Sequence, residues 1–132
     1  MKLLLDTHTF LWFAGREQSA NLPPATKDLL EDENNTVFLS LASVWELTIK
    51  VSIGKIKLEE PVKTLVEFHI VNNGIRLLPL SLEHIDWIET MPFHHKDPFD
   101  RMLAAQGRVE NISIVSLDAA LDRYSVNRIW LE

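Results

Sequence analysis

The chain has 132 residues, 46% hydrophobic and 24% charged, which predicts one globular domain spanning residues 1–132 and excludes a disordered chain. A formal net charge of −6 argues against indiscriminate nucleic-acid binding but leaves room for a local basic rim. The absence of cysteine excludes disulfides and thiolate metal sites, and no apolar run has signal-peptide or membrane length, so we expect a cytoplasmic protein with no membrane contact.

Short apolar runs alternate with helical patterns along the chain. Most helices are predicted to start at Asp, Ser or Pro and to stop at Gly or at a break in the apolar stripe. In chain order, the predicted elements are a strand at 2–5, helices at 8–14 and 23–31, a strand at 37–40, helices at 42–53 and 61–71, a strand at 75–78, helices at 81–89 and 98–109, a strand at 112–115, a short helix after 118 and an edge strand at 128–131. This alternation predicts an α/β fold with a mostly parallel central sheet and helices on both faces.

Four acids lie near predicted strand ends or helix starts. Asp6 follows the first strand and Asp118 follows the strand at 112–115, while Glu46 and Asp100 lie in the first turns of their helices. In open α/β sheets, binding sites form beyond the carboxyl ends of the strands. A single cleft could therefore collect all four carboxylates.

Each acid also has a purely structural interpretation. Asp6, Asp97 and Asp118 suit helix N-caps, and Glu46 precedes Lys50 by four residues, the favourable spacing for a helical ion pair. Carboxylates brought together without a cation would repel one another. Mg²⁺ or Mn²⁺, which take oxygen ligands, would relieve that repulsion, so the joint placement predicts a divalent-metal site.

Four segments resemble the successive acidic motifs of PIN domains, and more narrowly the VapC-type ribonuclease toxins of bacterial toxin–antitoxin pairs. The segments are Leu3-Leu4-Leu5-Asp6-Thr7-His8, Ser43-Val44-Trp45-Glu46-Leu47, His94-His95-Lys96-Asp97-Pro98-Phe99-Asp100-Arg101 and Ser116-Leu117-Asp118. The resemblance implies Mg²⁺- or Mn²⁺-dependent hydrolysis of RNA. Because all four acids are kept, an inactive scaffold is disfavoured.

By motif, Asp6, Glu46, Asp100 and Asp118 take the four acidic positions of the family. Asp97 competes with Asp100 for the third position. We choose Asp100 because the residues after it match the family's helix best, which leaves Asp97 as an N-cap or a supporting acid.

The predicted roles follow from the charges. Asp6, Asp100 and Asp118 are the expected metal ligands, and Glu46 either coordinates the ion or orients the attacking water. Thr7 and Ser116 are expected to hydrogen-bond neighbouring carboxylates, although Thr7 also suits plain helix capping.

Residues around the acids are predicted from charge and spacing. Lys50, Lys96 and Arg101 are the cations expected to contact RNA phosphates, with Lys55 and Lys57 as further candidates. The loop pair His94-His95 is expected to be solvated rather than catalytic.

Two short helices carry more large apolar side chains than one core stripe needs. These residues are Trp12, Phe13, Trp45, Ile49 and Ile53. Core packing explains each one singly, but the resemblance implies two partners that would cover some of this surface, a small cognate antitoxin and a second copy of the chain. The alternatives to a ribonuclease are a non-catalytic binding module and another metal-dependent phosphohydrolase.

Overall fold

A computed structural model describes all 132 residues and alternates strands with helices, as the sequence pattern predicts. The elements are β1 (Lys2–Leu5), α1 (Thr7–Phe13), α2 (Pro24–Glu31), β2 (Thr36–Ser40), α3 (Leu41–Ser52), α4 (Val62–Asn73), β3 (Arg76–Leu78), α5 (Leu82–Thr90), α6 (Pro98–Glu110), β4 (Ser113–Val115) and β5 (Arg128–Ile129), with 3-10 helices at Ser19–Asn21 and Ala119–Tyr124. No helix is both long and apolar enough to cross a membrane.

The five strands form one sheet in the order β3-β2-β1-β4-β5, and every neighbouring pair is parallel. Leu3, Leu4 and Leu5 of the central strand β1 are fully buried. Leu3 and Leu5 belong to one core cluster and Leu4 to a second one, so helices cover both faces of the sheet. The predicted fold class is confirmed.

A capping side chain meets the first turn of each of the three helices that follow or carry Asp6, Glu46 and Asp100. Asp6 Oδ1 accepts a hydrogen bond from the backbone N–H of Thr9 at 2.8 Å, and Ser40 caps α3 in the same way. Asp97 caps α6, with Pro98 at its first position, as the sequence predicts. Because α1 and α3 follow β1 and β2 without a loop, the residues in their first turns lie directly beyond the sheet's carboxyl edge.

Two predicted boundaries are wrong. The helix expected at 61–71 continues through Asn73, and a single left-handed residue, Gly74 with φ 66°, ends it. The edge strand expected at 128–131 is limited to β5, because Leu131 leaves the sheet and exchanges hydrogen bonds with the Thr26 hydroxyl at 2.6 and 3.0 Å.

Candidate functional site

A small cavity at the carboxyl edge of the sheet collects the predicted acids. Its volume is about 190 Å³ and no hydrophobic residue lines it. We call it the acidic cleft; its lining residues are Asp6, Thr7, His8, Glu46, Lys50, Asp97, Asp100 and Asp118. The cleft therefore contains all four motif acids together with Asp97.

The pairing of β1 with β4 brings Asp6 and Ser116 together. Leu5 is in register with Val115, so the residue after each strand lies beside its counterpart. Ser116 Oγ donates a 2.5 Å hydrogen bond to Asp6 Oδ2 and accepts one from the backbone N–H of Asp118 at 3.0 Å. One buried hydroxyl thus fixes the side chain of the first acid and the main chain at the fourth.

Glu46 is the most buried acid of the cleft, with 6% of its surface exposed. Thr7 Oγ1 donates a 2.5 Å hydrogen bond to Glu46 Oε1, and Lys50 Nζ lies 3.0 Å from Glu46 Oε2. The helical ion pair that the sequence suggests is therefore present, but it lies inside the cleft rather than on the surface. The hydroxyl of Thr7 holds a carboxylate, as the alternative to plain capping predicts.

His95 joins the acids, which the sequence analysis did not expect. Its Nε2 lies 3.1 Å from Asp118 Oδ2, its ring stacks on Tyr124, and 11% of its side chain is exposed. The expectation that both loop histidines are solvated is wrong for His95, while His94 is exposed. Tyr124 lies 29 residues further along the chain, so no local sequence signal reveals this contact.

Asp100 is half-buried and accepts no hydrogen bond from the protein, unlike Asp6, Asp97 and Asp118. Burial, followed by the charges of Asp97 and Glu46, raises the pKa of Asp100 from 3.8 to about 6, and nearby His95 partly offsets this rise. Burial and the neighbouring acids thus outweigh His95 and disfavour the carboxylate form of Asp100. Asp100 is the acid of the cleft whose environment most favours an added cation.

The donor set of the cleft fits a hard divalent ion. One ligand atom each from His95, Asp100 and Asp118 lies within 4.8 Å of the other two. Carboxylate oxygens suit Mg²⁺ and Mn²⁺, and a neutral imidazole is tolerated by Mn²⁺ and other transition metals. These three residues can therefore offer two carboxylate oxygens and one imidazole nitrogen to a single ion.

The predicted cations are distributed unequally around the cleft. Lys50 lines it, and Lys96 is exposed on the loop that precedes α6. The guanidinium of Arg101 instead lies 4.5 Å from the ring centroid of Phe93 and donates to the carbonyl of Ile88 at 3.2 Å. The structure thus places Arg101 outside the cleft lining, because one further step along α6 turns it from the Asp100 side towards α5.

The apolar side chains of the first and third helices have different environments. Trp12 packs edge-on against Trp130, with ring centroids 6.0 Å apart, and Phe13 packs on the core. In contrast, Trp45, Ile49 and Ile53 are 59%, 36% and 60% exposed. Together with Leu41 at 39%, they form an exposed row at four-residue spacing, the α3 stripe. Core packing thus accounts for the first helix, whereas the α3 stripe stays largely exposed although Trp45 packs edge-on against Phe99 at 5.2 Å.

The raised pKa of Asp100 predicts a pH dependence of stability in the absence of metal. The folded protein holds this proton up to about pH 6, whereas the unfolded chain releases it near 3.8, so the free energy of unfolding falls as pH rises between these values. Allowing for solvent screening, we expect a loss of about 1–2 kcal/mol. Denaturant unfolding in a chelator from pH 4 to 7 should show the loss in wild type but not in Asp100→Asn. Parallel plots of the free energy of unfolding against pH for the two proteins would contradict this prediction.

Comparison with known proteins identifies the family. The model of the PIN domain family matches residues 3–127. Among solved structures, this chain is similar to VapBC2 from Rickettsia felis, which was solved bound to a DNA fragment from its promoter. The two chains share 18% identity with a TM-score of 0.75, and the match covers 98% of this chain and 99% of that chain.

Two structures of a second system are also similar. FitAB bound to the IR36 DNA fragment matches at 20% identity and TM-score 0.65, over 96% of this chain and 93% of that chain. FitAcB from Neisseria gonorrhoeae matches at 20% identity and TM-score 0.58, over 96% of each chain. Curated protein sequences give no match. The chain belongs to the PIN domain family, whose domains are generally nucleases.

Proposed function

We propose that this protein is a Mg²⁺- or Mn²⁺-dependent endoribonuclease and the toxin of a type II toxin–antitoxin pair. The observation that carries the proposal is the acidic cleft, in which five carboxylates and one lysine converge without a hydrophobic residue. Such a concentration of negative charge costs stability unless a cation is bound. A purely structural or binding role for these acids gives no reason for that cost.

The residues of the cleft divide the work of phosphodiester hydrolysis. Asp6, Asp100 and Asp118 would hold the ion, which supplies Lewis-acid stabilisation of phosphoryl charge and acidifies a water molecule. Glu46 would either coordinate the ion or orient the attacking water. Thr7 and Ser116 keep two of these carboxylates in position through their 2.5 Å hydrogen bonds.

Lysines would neutralise the phosphates of the RNA. Lys50 lies in the cleft itself and Lys96 is exposed beside the start of α6. Each phosphate contact adds to the salt dependence of binding. Arg101 does not belong to this set, because its guanidinium contacts the ring of Phe93 and the carbonyl of Ile88.

The deciding experiment is incubation of the purified chain with total cellular RNA, with Mg²⁺ and with a chelator. We expect discrete cleavage products only with Mg²⁺, and no release of phosphate from a phosphomonoester such as p-nitrophenyl phosphate. Intact RNA with rapid phosphomonoester hydrolysis would favour another phosphohydrolase. Intact RNA with no hydrolysis of either substrate would favour a binding module.

An antitoxin is the proposed regulatory partner, supported by the toxin–antitoxin complexes among the similar structures. The acidic cleft offers a place for its inhibition. An arginine or lysine of the partner could take the position of the cation among the carboxylates, while an apolar segment lies in a neighbouring groove. Co-expression with the protein encoded next to this chain should restore growth and suppress RNA cleavage.

A homodimer would cover the α3 stripe. Trp45→Asp places a charge in the middle of this row, and we expect it to halve the mass in solution measured by light scattering, because an unpaired buried charge opposes association. Phe68→Asp is a matched control, because Phe68 is 55% exposed on α4 and lies outside the stripe. A wild-type monomer, or a dimer unaffected by Trp45→Asp, would show that this surface is not the dimer interface.

A further inference from the structure

A second, larger cavity adjoins the acidic cleft. Its volume is about 630 Å³, within the range of about 300–1,000 Å³ that is usual for small-molecule sites. Asp6, His8, Lys50 and Asp118 line both cavities. The two cavities therefore adjoin each other, and a ligand in the larger one lies next to the proposed metal ligands.

The rings of His8 and Trp12 line the larger cavity, and a third ring packs behind them. His8 is exposed, and its ring centroid lies 5.9 Å from that of Trp12 at an interplanar angle of 35°. Trp12 is in turn held edge-on by Trp130 at 6.0 Å. Since Trp12 is already fixed by packing, a flat ligand that stacks here orders few additional side chains.

The charges of the larger cavity suit a nucleotide rather than an apolar ligand. Lys50 and Lys55 both line it, in a protein whose net charge is −6. The lysines can contact phosphate, whereas Glu17 and Gln18 on the wall offer a carboxylate and an amide to the edge of a base. Glu17 would repel a phosphate, so its presence favours a base at that part of the wall.

We propose that this cavity is a subsite for one unpaired nucleobase of the RNA, next to the phosphate that is cleaved. The inference deepens the proposed function and rests on it. A base paired in a duplex is stacked on its neighbours and cannot enter such a cavity, so the nucleotide that fills it must be unpaired.

Stacking and charge are tested separately, in an Asp100→Asn background intended to keep the RNA intact. Binding of a fluorescently labelled unpaired RNA 12-mer that contains the mapped cleavage site is measured by anisotropy in Mg²⁺. We expect His8→Ala to weaken binding about fivefold, as for loss of one stacked base. Phe68→Ala, which removes an exposed ring elsewhere, should not change it. Lys55→Ala should flatten the salt dependence of binding, whereas Lys63→Ala, on the exposed side of α4, should not.

The decisive arm combines protein and RNA changes. An abasic nucleotide is moved along the oligonucleotide one position at a time. When His8 is present, we expect the abasic nucleotide to weaken RNA binding only at a position next to the cleaved phosphate. In His8→Ala this weakening should disappear, since the two changes remove the same contact.

The outcomes separate this inference from the proposed function. If RNA is cleaved by the unmodified protein but His8→Ala and the abasic positions have no coupled effect, the subsite is wrong and the ribonuclease proposal stands. If no RNA is cleaved or bound, both fall. If His8→Ala leaves RNA binding unchanged and weakens binding of the antitoxin, the cavity belongs to the protein partner and the inference is overturned.

Discussion

Asp6→Asn and Asp100→Asn should each abolish Mg²⁺-dependent RNA cleavage, with a fall in rate on the order of 10³-fold or more, because each removes a charged ligand from the proposed ion. Both substitutions keep the size of the side chain. Asp6→Asn retains an oxygen that can accept the hydrogen bond from the N–H of Thr9. The fold should therefore persist, and Asp100→Asn should be more stable than wild type at neutral pH without metal, since it removes a half-buried charge that its neighbours disfavour.

Asp86→Asn is the matched control for these variants. Asp86 is exposed on α5 and does not line the acidic cleft, so this substitution should leave cleavage within about twofold of wild type. Rates are measured on an oligonucleotide that contains a mapped cleavage site, and circular dichroism checks the fold. Wild-type rates in both Asp6→Asn and Asp100→Asn would remove the basis of the site assignment.

Mn²⁺ should strongly stabilise the wild-type protein against heat. At a concentration about 100 times its dissociation constant, an ion that binds only the folded state adds about 2.7 kcal/mol, which for a domain of this size raises Tm by about 10 °C. The repulsion among Asp97, Asp100 and Glu46 is relieved at the same time.

Asp100→Asn should lose most of this Mn²⁺-dependent rise, whereas Asp86→Asn should keep it. The measurement is a thermal melt at constant ionic strength, with NaCl replacing the divalent salt in the reference. An equal rise in wild type and Asp100→Asn would place the ion away from the acidic cleft.

The sequence was sufficient to predict how the acids converge, because that depends on strand ends. Once a parallel sheet is predicted, Asp6 and Asp118 must lie at the same edge, and the helix starts bring Glu46 and Asp100 towards it. These predictions use only local periodicity and one topological rule.

Other features of the cleft depend on contacts that local patterns do not encode. His95 is drawn from solvent by Tyr124, which comes from the 3-10 helix after β4. The guanidinium of Arg101 contacts the ring of Phe93 and the carbonyl of Ile88, and so does not line the acidic cleft. Trp12 and Trp45 look equivalent on their helical stripes, but Trp12 packs against Trp130 from the far end of the chain, whereas Trp45 meets only the edge of Phe99 and stays 59% exposed.

The pairing of β1 with β4 also sets when the cleft can form during synthesis. Asp6 and Ser116, which this pairing joins, are 110 residues apart in the sequence. At translation rates of about 5–20 residues per second, the first acid emerges from the ribosome on the order of ten seconds before the last strand that completes its surroundings. A nascent chain that carries Asp6, Glu46 and Asp100 therefore lacks an assembled cleft, and any chemistry of the cleft must wait until the chain is nearly finished.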